Sequence, residues 1–289
     1  MAVAAVFGAA VMGGVITGIV LGIISAWFSL FVVFPMLAGA GAAAAAAWMI
    51  GKHKLRAPML ALALGALGGT TAYLAVHAVG YLQFRAGALE AIHADDPTLG
   101  DDQASIELDR ALEQEVGHAG VVGWLELAAR RGISIKRIGS DRNDGTFTGG
   151  AAYVIWLLEL LVATGMAGFI ARHRANEPFC EACDRWFGAE RAIAQGGSGS
   201  KADGKRIIRA LEAGDLRDAA TTFTSGRKPG SNFVLSARTC SHCEAEWACT
   251  LTVAGAERKA TEVRKVKSWL FTRDEAARFI EAIASASPK

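Results

Sequence analysis

The chain has 289 residues and a formal net charge of +2, and 52% of its residues are hydrophobic. Its charges are unevenly spread: residues 1–84 hold only three, all basic, residues 85–150 hold 12 acidic and 7 basic side chains, and residues 172–289 hold 15 acidic and 20 basic ones. This composition excludes an ordinary soluble domain and indicates a membrane protein with polar segments in separate environments.

Four segments are apolar enough to cross a bilayer, which takes about 20 residues of helix. They cover residues 3–24, 33–50, 57–84 and 151–171. The first segment has no Lys or Arg before its apolar run, so we predict a retained helix and not a cleaved secretory signal. The sequence therefore predicts a mainly α-helical polytopic membrane protein with four transmembrane helices.

Small residues recur every four positions in two of these segments, at Gly14, Gly18 and Gly22 in the first and at Ala61, Gly65 and Gly69 in the third. Such spacing lets two helix backbones approach closely. We expect these faces to pack against other helices of the same chain, with a subunit contact or a pore lining as the alternative.

Basic residues follow the second and the fourth apolar segments, at Lys52, Lys54, Arg56, Arg172 and Arg174. Lys and Arg beside membrane spans are retained in the cytoplasm, so both termini are predicted to be cytoplasmic and residues 85–150 extracytoplasmic. All five cysteines come after Arg172, which this topology places in a reducing compartment. The richness in Ala, Gly and Arg is typical of a bacterial protein, which indicates the inner (plasma) membrane.

The extracytoplasmic segment is predicted to be a small α+β cap. Residues 101–131 have the apolar spacing of a helix, with an expected break at the glycines between 117 and 123. The expected inner positions of this helix are Ile106, Leu108, Leu112, Val116, Trp124 and Leu127. Alternation in residues 133–138 and a turn at 140–145 then predict a β-hairpin that returns at residues 146–148.

Two CxxC pairs follow the last apolar segment, Cys180 with Cys183 and Cys240 with Cys243. Each pair can direct two thiolates at one ion, and two pairs complete a tetrahedral shell of four sulfurs. We predict that these four residues bind a structural Zn²⁺. Iron in a rubredoxin-like site and free thiols are the alternatives.

The stretches FCEACDRWF and TCSHCEAEWACTLTV resemble a zinc ribbon. The resemblance implies a C-terminal α+β zinc-ribbon-like domain, residues 172–289, with the two CxxC pairs at the tips of β-hairpins. A long insertion at about 196–232 departs from a compact ribbon. Its Gly/Ser-rich ends predict flexibility, and its centre predicts one or two short helices broken at Gly214, with Asp215 as a cap. Cys249 is interpreted as a buried small hydrophobe in a strand.

Two polar residues lie inside the apolar segments, Glu159 near the middle of the fourth and His77 in the outer half of the third. A charge buried in a bilayer costs several kcal/mol, so Glu159 must be protonated, paired or in contact with water. We favour a hydrogen-bonded latch between helices over a proton or cation step. No sequence motif of an enzyme active site is present, and we predict no catalytic residues.

These features predict an integral membrane protein whose cytoplasmic zinc domain serves as an interaction, scaffold or regulatory module, in a homo-oligomer or with protein partners. The net charge of +5 from Arg172 onward also fits contact with anionic lipid. Nucleic acid is a disfavoured partner, because the tail is tethered to the bilayer. The alternative hypothesis is a small oligomeric channel or transporter that uses Glu159 within the membrane.

Overall fold

A computed structural model of the chain describes residues 1–25, 33–136, 143–198, 201–225, 231–243, 246–255 and 263–286. The chain divides into two compact units, Met1–Asn176 and Glu177–Lys289. Each unit has hydrophobic clusters of its own.

Helices dominate the first unit. It contains, in chain order, α1 (Ala2–Ser25), α2 (Val33–His53), α3 (Pro58–Asp95), α4 (Asp101–Val116), α5 (Gly120–Arg131), β1 (Ile133–Lys136), β2 (Asn143–Phe147) and α6 (Gly150–Ala175). Within the described part of the chain, α1, α2, α3 and α6 are the helices long and apolar enough to cross a membrane. The prediction of four long apolar helices is confirmed.

These four helices form a bundle in which α1 and α6 each pack against both α2 and α3. Glycines stand where the backbones come closest. A Cβ atom on Gly69 would lie 2.5 Å from the carbonyl oxygen of Ala163 in α6, and a Cβ atom on Gly18 would clash with the carbonyl oxygen of Ala72 in α3. The predicted packing of the small-residue faces within the chain is therefore confirmed.

Replacing Gly69 with Ala is expected to destabilise the bundle by about 1–3 kcal/mol, because the new methyl group must displace the backbone of α6. The thermal unfolding temperature of the detergent-solubilised protein checks this. Gly165→Ala is the matched control, since a Cβ atom at Gly165 meets no atom within 4 Å. Equal melting temperatures for the two variants would contradict the packing described above.

Helix α3 is longer than the predicted third segment. The apolar segment ends at residue 84, but the helix continues to Asp95 and has 38 residues. At 1.5 Å per residue it is about 57 Å long, nearly twice the thickness of a bilayer's hydrocarbon core. Loss of hydropathy ends an apolar segment, but it does not end a helix. A proline does favour a helix end, and after Pro58 the next proline is Pro97.

Two helices and a hairpin follow α3. Gly117, with φ at 85°, ends α4, and Gly120, with φ at 62°, is the first residue of α5, so the helix break lies where it was predicted. Leu108 and Leu112 are buried as expected, whereas Ile106 is 57% exposed and that prediction was wrong. Residues two positions apart in sequence point about 200° apart around a helix, so Ile106 and Leu108 cannot share a face. Strands β1 and β2 pair antiparallel and confirm the hairpin, although β2 begins at Asn143, inside the predicted turn. Residues 137–142, which hold the rest of that turn, lie outside the described part of the chain.

The second unit contains β3 (Phe179–Cys180), β4 (Arg185–Trp186), β5 (Arg191–Ser198), α7 (Lys201–Glu212), α8 (Leu216–Ser225), β6 (Ser231–Thr239), β7 (Glu246–Gly255), β8 (Val263–Thr272) and α9 (Arg273–Ala286). Strands β5 to β8 form an antiparallel sheet in chain order. Alternate residues of its strands share a core with the three helices, and that core includes Ile207, Phe223, Phe233, Leu235, Leu251 and Phe279.

Helices α7 and α8 occupy the predicted insertion, residues 196–232. They break at Gly214, and the Asp215 side chain accepts the N–H of Asp218 at 2.9 Å, which caps α8 as predicted. The short helices predicted at the centre of the insertion are thus present as α7 and α8. Ile207 and Phe223 are completely buried, so this segment supplies part of the domain core. Residues 199–200 and 226–230 lie outside the described part of the chain.

Helix α9 begins with a reciprocal cap. The Glu275 carboxylate accepts hydrogen bonds from the backbone N–H and the hydroxyl of Thr272, both at 2.9 Å, and the N–H of Glu275 donates to the Thr272 hydroxyl at 3.3 Å. The hydrogen bonds from the Thr272 N–H and hydroxyl lower the pKa of Glu275 below its ordinary value of 4.5. A lowered carboxyl pKa stabilises the fold at pH values above the unfolded pKa, and this contribution is lost as pH falls through the folded pKa.

Thr272→Ala is expected to cost about 1 kcal/mol of stability at neutral pH, because it removes the side chain that caps α9. It should also reduce the loss of stability on acidification below pH 4.5, since the Glu275 carboxylate loses a hydrogen bond. Urea unfolding of the full chain in detergent at neutral and acidic pH measures both effects. Ser285→Ala, at the other end of α9, should change neither of them, and an equal effect there would contradict the capping role.

Candidate metal centre

The first CxxC pair is at the turn between β3 and β4, with Cys180 as the last residue of β3 and Cys183 in the turn itself. Phe179 pairs with Trp186 and Cys180 pairs with Arg185 across this short hairpin. Asp184 adopts φ of 52°, a left-handed conformation that closes the turn. The rings of Phe179 and Trp186 pack edge to face at 5.1 Å. The local fold thus presents Cys180 and Cys183 from one tight turn.

The second CxxC pair lies in the turn between β6 and β7. The last residue pair of that hairpin is Thr239 with Trp247, and Cys240 follows directly. The two hairpins are linked, because the N–H of Gly188 donates to the carbonyl oxygen of Thr239 at 2.8 Å. Phe187 is buried against Cys180 and Cys240 and covers the site on one side. Both CxxC pairs therefore stand at β-hairpin turns.

The four sulfurs converge. All four Sγ atoms of Cys180, Cys183, Cys240 and Cys243 lie within 4.8 Å of one another, and those of Cys180 and Cys243 are 3.6 Å apart. A zinc–sulfur bond of about 2.3 Å in a tetrahedral site places sulfurs about 3.8 Å from each other. The four thiols thus have the number, type and spacing that a tetrahedral zinc or iron ion requires, and they could hold such an ion.

The electrostatics of the site differ from one sulfur to the next. Backbone N–H groups of Cys243 and His242 donate to the Cys240 sulfur and lower its pKa to about 7. Hydrogen bonding to the Cys243 thiol, together with burial, raises the pKa of Cys183 to about 12. A metal cation among the sulfurs would favour the thiolate form of all four cysteines, because its charge stabilises the deprotonated ligands.

The fifth cysteine and the neighbouring histidine are separate from this cluster. Cys249 is 1% exposed in β7 and belongs to the core of the sheet, where burial raises its pKa to about 12. Its interpretation as a small buried hydrophobe is confirmed. His242 is exposed and lies outside the group of four ligands that the described residues form.

The basic residues expected to set the topology lie at one end of the helical bundle. The guanidinium group of Arg174, near the end of α6, lies against Gly51 near the end of α2. Lys52 stacks over the ring of Trp48 at 5.2 Å. Exposed side chains also occur at Lys54, Arg56 and Arg172, which are close in sequence to Lys52 and Arg174. The two basic clusters thus share one end of the bundle, as a single topology requires.

Glu159 takes part in a polar contact between α3 and α6. The Tyr73 hydroxyl donates to the Glu159 carboxylate at 3.3 Å and to the carbonyl oxygen of Trp156 at 2.9 Å. One turn further along, the hydroxyls of Thr70 and Thr164 are 3.0 Å apart. These bonds have the arrangement of the predicted latch between two helices.

His77 does not complete a relay with Glu159. Its ring packs edge to face against Tyr73 at 4.6 Å, Trp156 at 5.8 Å and Trp124 at 6.2 Å. Among the described residues no hydrogen bond joins His77 to Glu159, so the two residues share Tyr73 as a neighbour without direct contact.

The aromatic surroundings of His77 were not found from the sequence. Tyr73, His77 and Tyr81 are spaced by four residues, which places them on one face of α3. That spacing was the available signal. Trp124 and Trp156 come from distant segments, and no periodicity connects them to α3.

Comparisons with known proteins do not assign the chain to a family. No protein-family model matches it, and neither the curated proteins nor the solved structures that were searched contain a match. The cysteine cluster and the apolar helices are therefore the features of this chain that bear on its function.

Proposed function

We propose that the chain is an integral membrane protein whose cytoplasmic zinc-ribbon-like domain serves as an interaction, scaffold or regulatory module. The observation that carries this proposal is the convergence of four cysteine sulfurs in a compact unit that begins directly after α6. A Cys₄ site with no open position for substrate is typical of structural zinc, which stabilises a fold and leaves its surface free for partners.

The orientation follows from charge. The two basic clusters share one end of the bundle, and Lys and Arg flanking membrane spans are retained in the cytoplasm. Both termini and the zinc domain are then cytoplasmic, and α4, α5 and the β1–β2 hairpin are extracytoplasmic. Reducing conditions in the cytoplasm keep the thiols available for metal. The composition favours the inner membrane of a bacterium.

Site-specific photocrosslinking in membranes tests the role as a module. A photoreactive residue at exposed Arg209 of α7 is expected to crosslink the unmodified chain to a partner protein or to a second copy of the chain. Cys240→Ser should abolish the crosslink, whereas Cys249→Ala, which leaves the four ligands intact, should preserve it. A crosslink unaffected by Cys240→Ser would contradict a metal-dependent interaction.

The second candidate function is a small oligomeric channel or transporter, favoured by the carboxylate of Glu159 between two apolar helices. Under our first proposal Glu159→Gln loses only the latch, which lowers the stability of the bundle by about 0.6 kcal/mol. Liposomes containing the unmodified chain or the variant then show no proton or cation flux. Glu113→Gln, at an exposed position of α4, controls for loss of a carboxylate. Flux that disappears only in Glu159→Gln, with assembly intact, would overturn the first proposal in favour of transport.

A further inference from the structure

A cavity of about 490 Å³ lies between α3, α5 and α6. Ring-bearing side chains form much of its wall, namely Tyr73, His77, Tyr81, Trp124, Tyr153 and Trp156. Ligand-binding cavities in proteins have volumes of about 300–1,000 Å³ and are mostly apolar with few polar groups. Both its size and its lining are those of a site for an apolar molecule.

Helix α5 is held in place as one wall of this cavity. The indole of Trp124 lies against α3 at Gly80, where a Cβ atom would come within 3.3 Å of the ring. On the other side, the Tyr153 hydroxyl of α6 donates to the carboxylate of Glu126 in α5 at 2.6 Å. Contacts to both α3 and α6 therefore fix α5 across the gap between them, and the cavity is a feature of the fold.

The polar groups of the cavity wall differ in whether they already make hydrogen bonds within the protein. The hydroxyls of Tyr73 and Tyr153 already donate to the carboxylates of Glu159 and Glu126. The imidazole of His77 makes ring contacts, but no hydrogen bond among the described residues reaches its nitrogen atoms. His77 is therefore able to hydrogen bond to a molecule in the cavity.

The cavity lies at the depth where lipid chains meet their ester groups. His77 is 19 positions after Pro58, the first residue of α3, so it lies about 29 Å along the helix, close to the full thickness of about 30 Å of the hydrocarbon core. Aliphatic side chains of the wall, Leu74, Leu82, Val121 and Leu157, are 48–59% exposed. On the same scale Leu74 lies about 24 Å along α3, within the hydrocarbon core, so a molecule reaches this side of the cavity from the lipid and not from water.

We propose that this cavity binds a membrane lipid of the extracytoplasmic leaflet, with an acyl chain between α3, α5 and α6 and an ester carbonyl that accepts a hydrogen bond from His77. The inference rests on the proposed insertion of the four helices in a bilayer. Tyr and Trp are enriched at membrane interfaces in general, but that tendency accounts neither for the volume between the three helices nor for the attachment of α5 over it.

Photolabelling of the full chain tests the site. The chain is reconstituted in liposomes containing a phospholipid with a diazirine on its acyl chain, irradiated, digested and mapped by mass spectrometry. Because the acyl chain extends inward from His77, adducts are expected to concentrate on Trp156 and Leu160 of the cavity wall. Ala78→Trp, which fills the cavity, should lower their yield by about tenfold. Ala63→Trp, at an exposed position near the other end of α3, should leave the yield unchanged.

A second variant and an internal reference separate the outcomes. His77→Leu keeps the apolar wall and removes the hydrogen bond, and it should also lower labelling of Trp156. Exposed Ile16 and Ile23 of α1 report insertion in the same sample. If α1 is labelled but the cavity residues are labelled equally in the unmodified chain, Ala78→Trp and His77→Leu, the lipid site is overturned and the proposal of membrane insertion is retained. No labelling of either region would overturn both.

Discussion

Replacing Cys240 with Ser is expected to abolish stoichiometric zinc binding and to destabilise the second unit more than any single core substitution. Cys240 is fully buried, and its sulfur belongs to the set of four that lie within 4.8 Å of one another. Structural zinc contributes apparent binding free energies of about 10–16 kcal/mol near neutral pH, and this energy stabilises the folded state. Metal content of the purified protein and its resistance to proteolysis in urea measure the two effects.

Cys249→Ala is the matched control for this prediction. It removes a sulfur of similar burial from β7, in the core of the same unit, but it leaves the four ligands unchanged. Zinc content should stay at the level of the unmodified chain. If Cys240→Ser retained zinc, or if Cys249→Ala lost it, the assignment of the ligands would be wrong.

Replacing Phe223 with Ala is expected to destabilise the second unit by about 3–5 kcal/mol. Phe223 is completely buried in α8, stacked on Phe233 at 5.9 Å and edge to face with Phe279 at 6.4 Å. The substitution therefore leaves a cavity where α8, β6 and α9 meet. Pulse proteolysis of the full chain in increasing urea measures the loss.

Thr221→Ala is the control for the Phe223 prediction, because Thr221 is exposed on the same helix. Substitutions at such positions change stability by about 0.5 kcal/mol or less. A flexible insertion would give the same small effect at both residues. Equal unfolding midpoints for the two variants would therefore contradict the packing of α8 in the core.

The elements with strong local signals could be predicted from the sequence. Long apolar runs identified α1, α2, α3 and α6, because the length and hydropathy of such runs are properties of the segment itself. The convergence of Cys180, Cys183, Cys240 and Cys243 followed from two CxxC pairs, since each pair fixes the distance between its own sulfurs.

Where local composition conflicts with tertiary packing, the sequence was less informative. Glycine and serine at the ends of residues 196–232 indicated flexibility, yet Ile207 and Phe223 between them are core residues. Their helical spacing is visible in the sequence, but which face of a short amphipathic helix is buried depends on the sheet that covers it. Likewise, hydropathy could not predict that α3 continues beyond the apolar segment to Asp95.

The cavity was beyond sequence reasoning for a different reason. Its wall combines side chains from α3, α5 and α6, including Tyr81, Trp124 and Trp156, which are far apart in the chain. A single sequence shows which of these residues are aromatic but contains no measure of the distances between segments. The same holds for the bond between Tyr73 and Glu159, which joins two helices.

The zinc content of the chain extracted from carbonate-washed membranes measures two properties at once, because it requires both membrane insertion and a formed metal site. We expect the protein to stay with the membrane pellet and to contain one zinc ion per chain. We also expect the metal to be absent when all four of Cys180, Cys183, Cys240 and Cys243 are replaced by Ser. Release of the chain into the carbonate supernatant, or zinc content unchanged by those substitutions, would contradict these expectations.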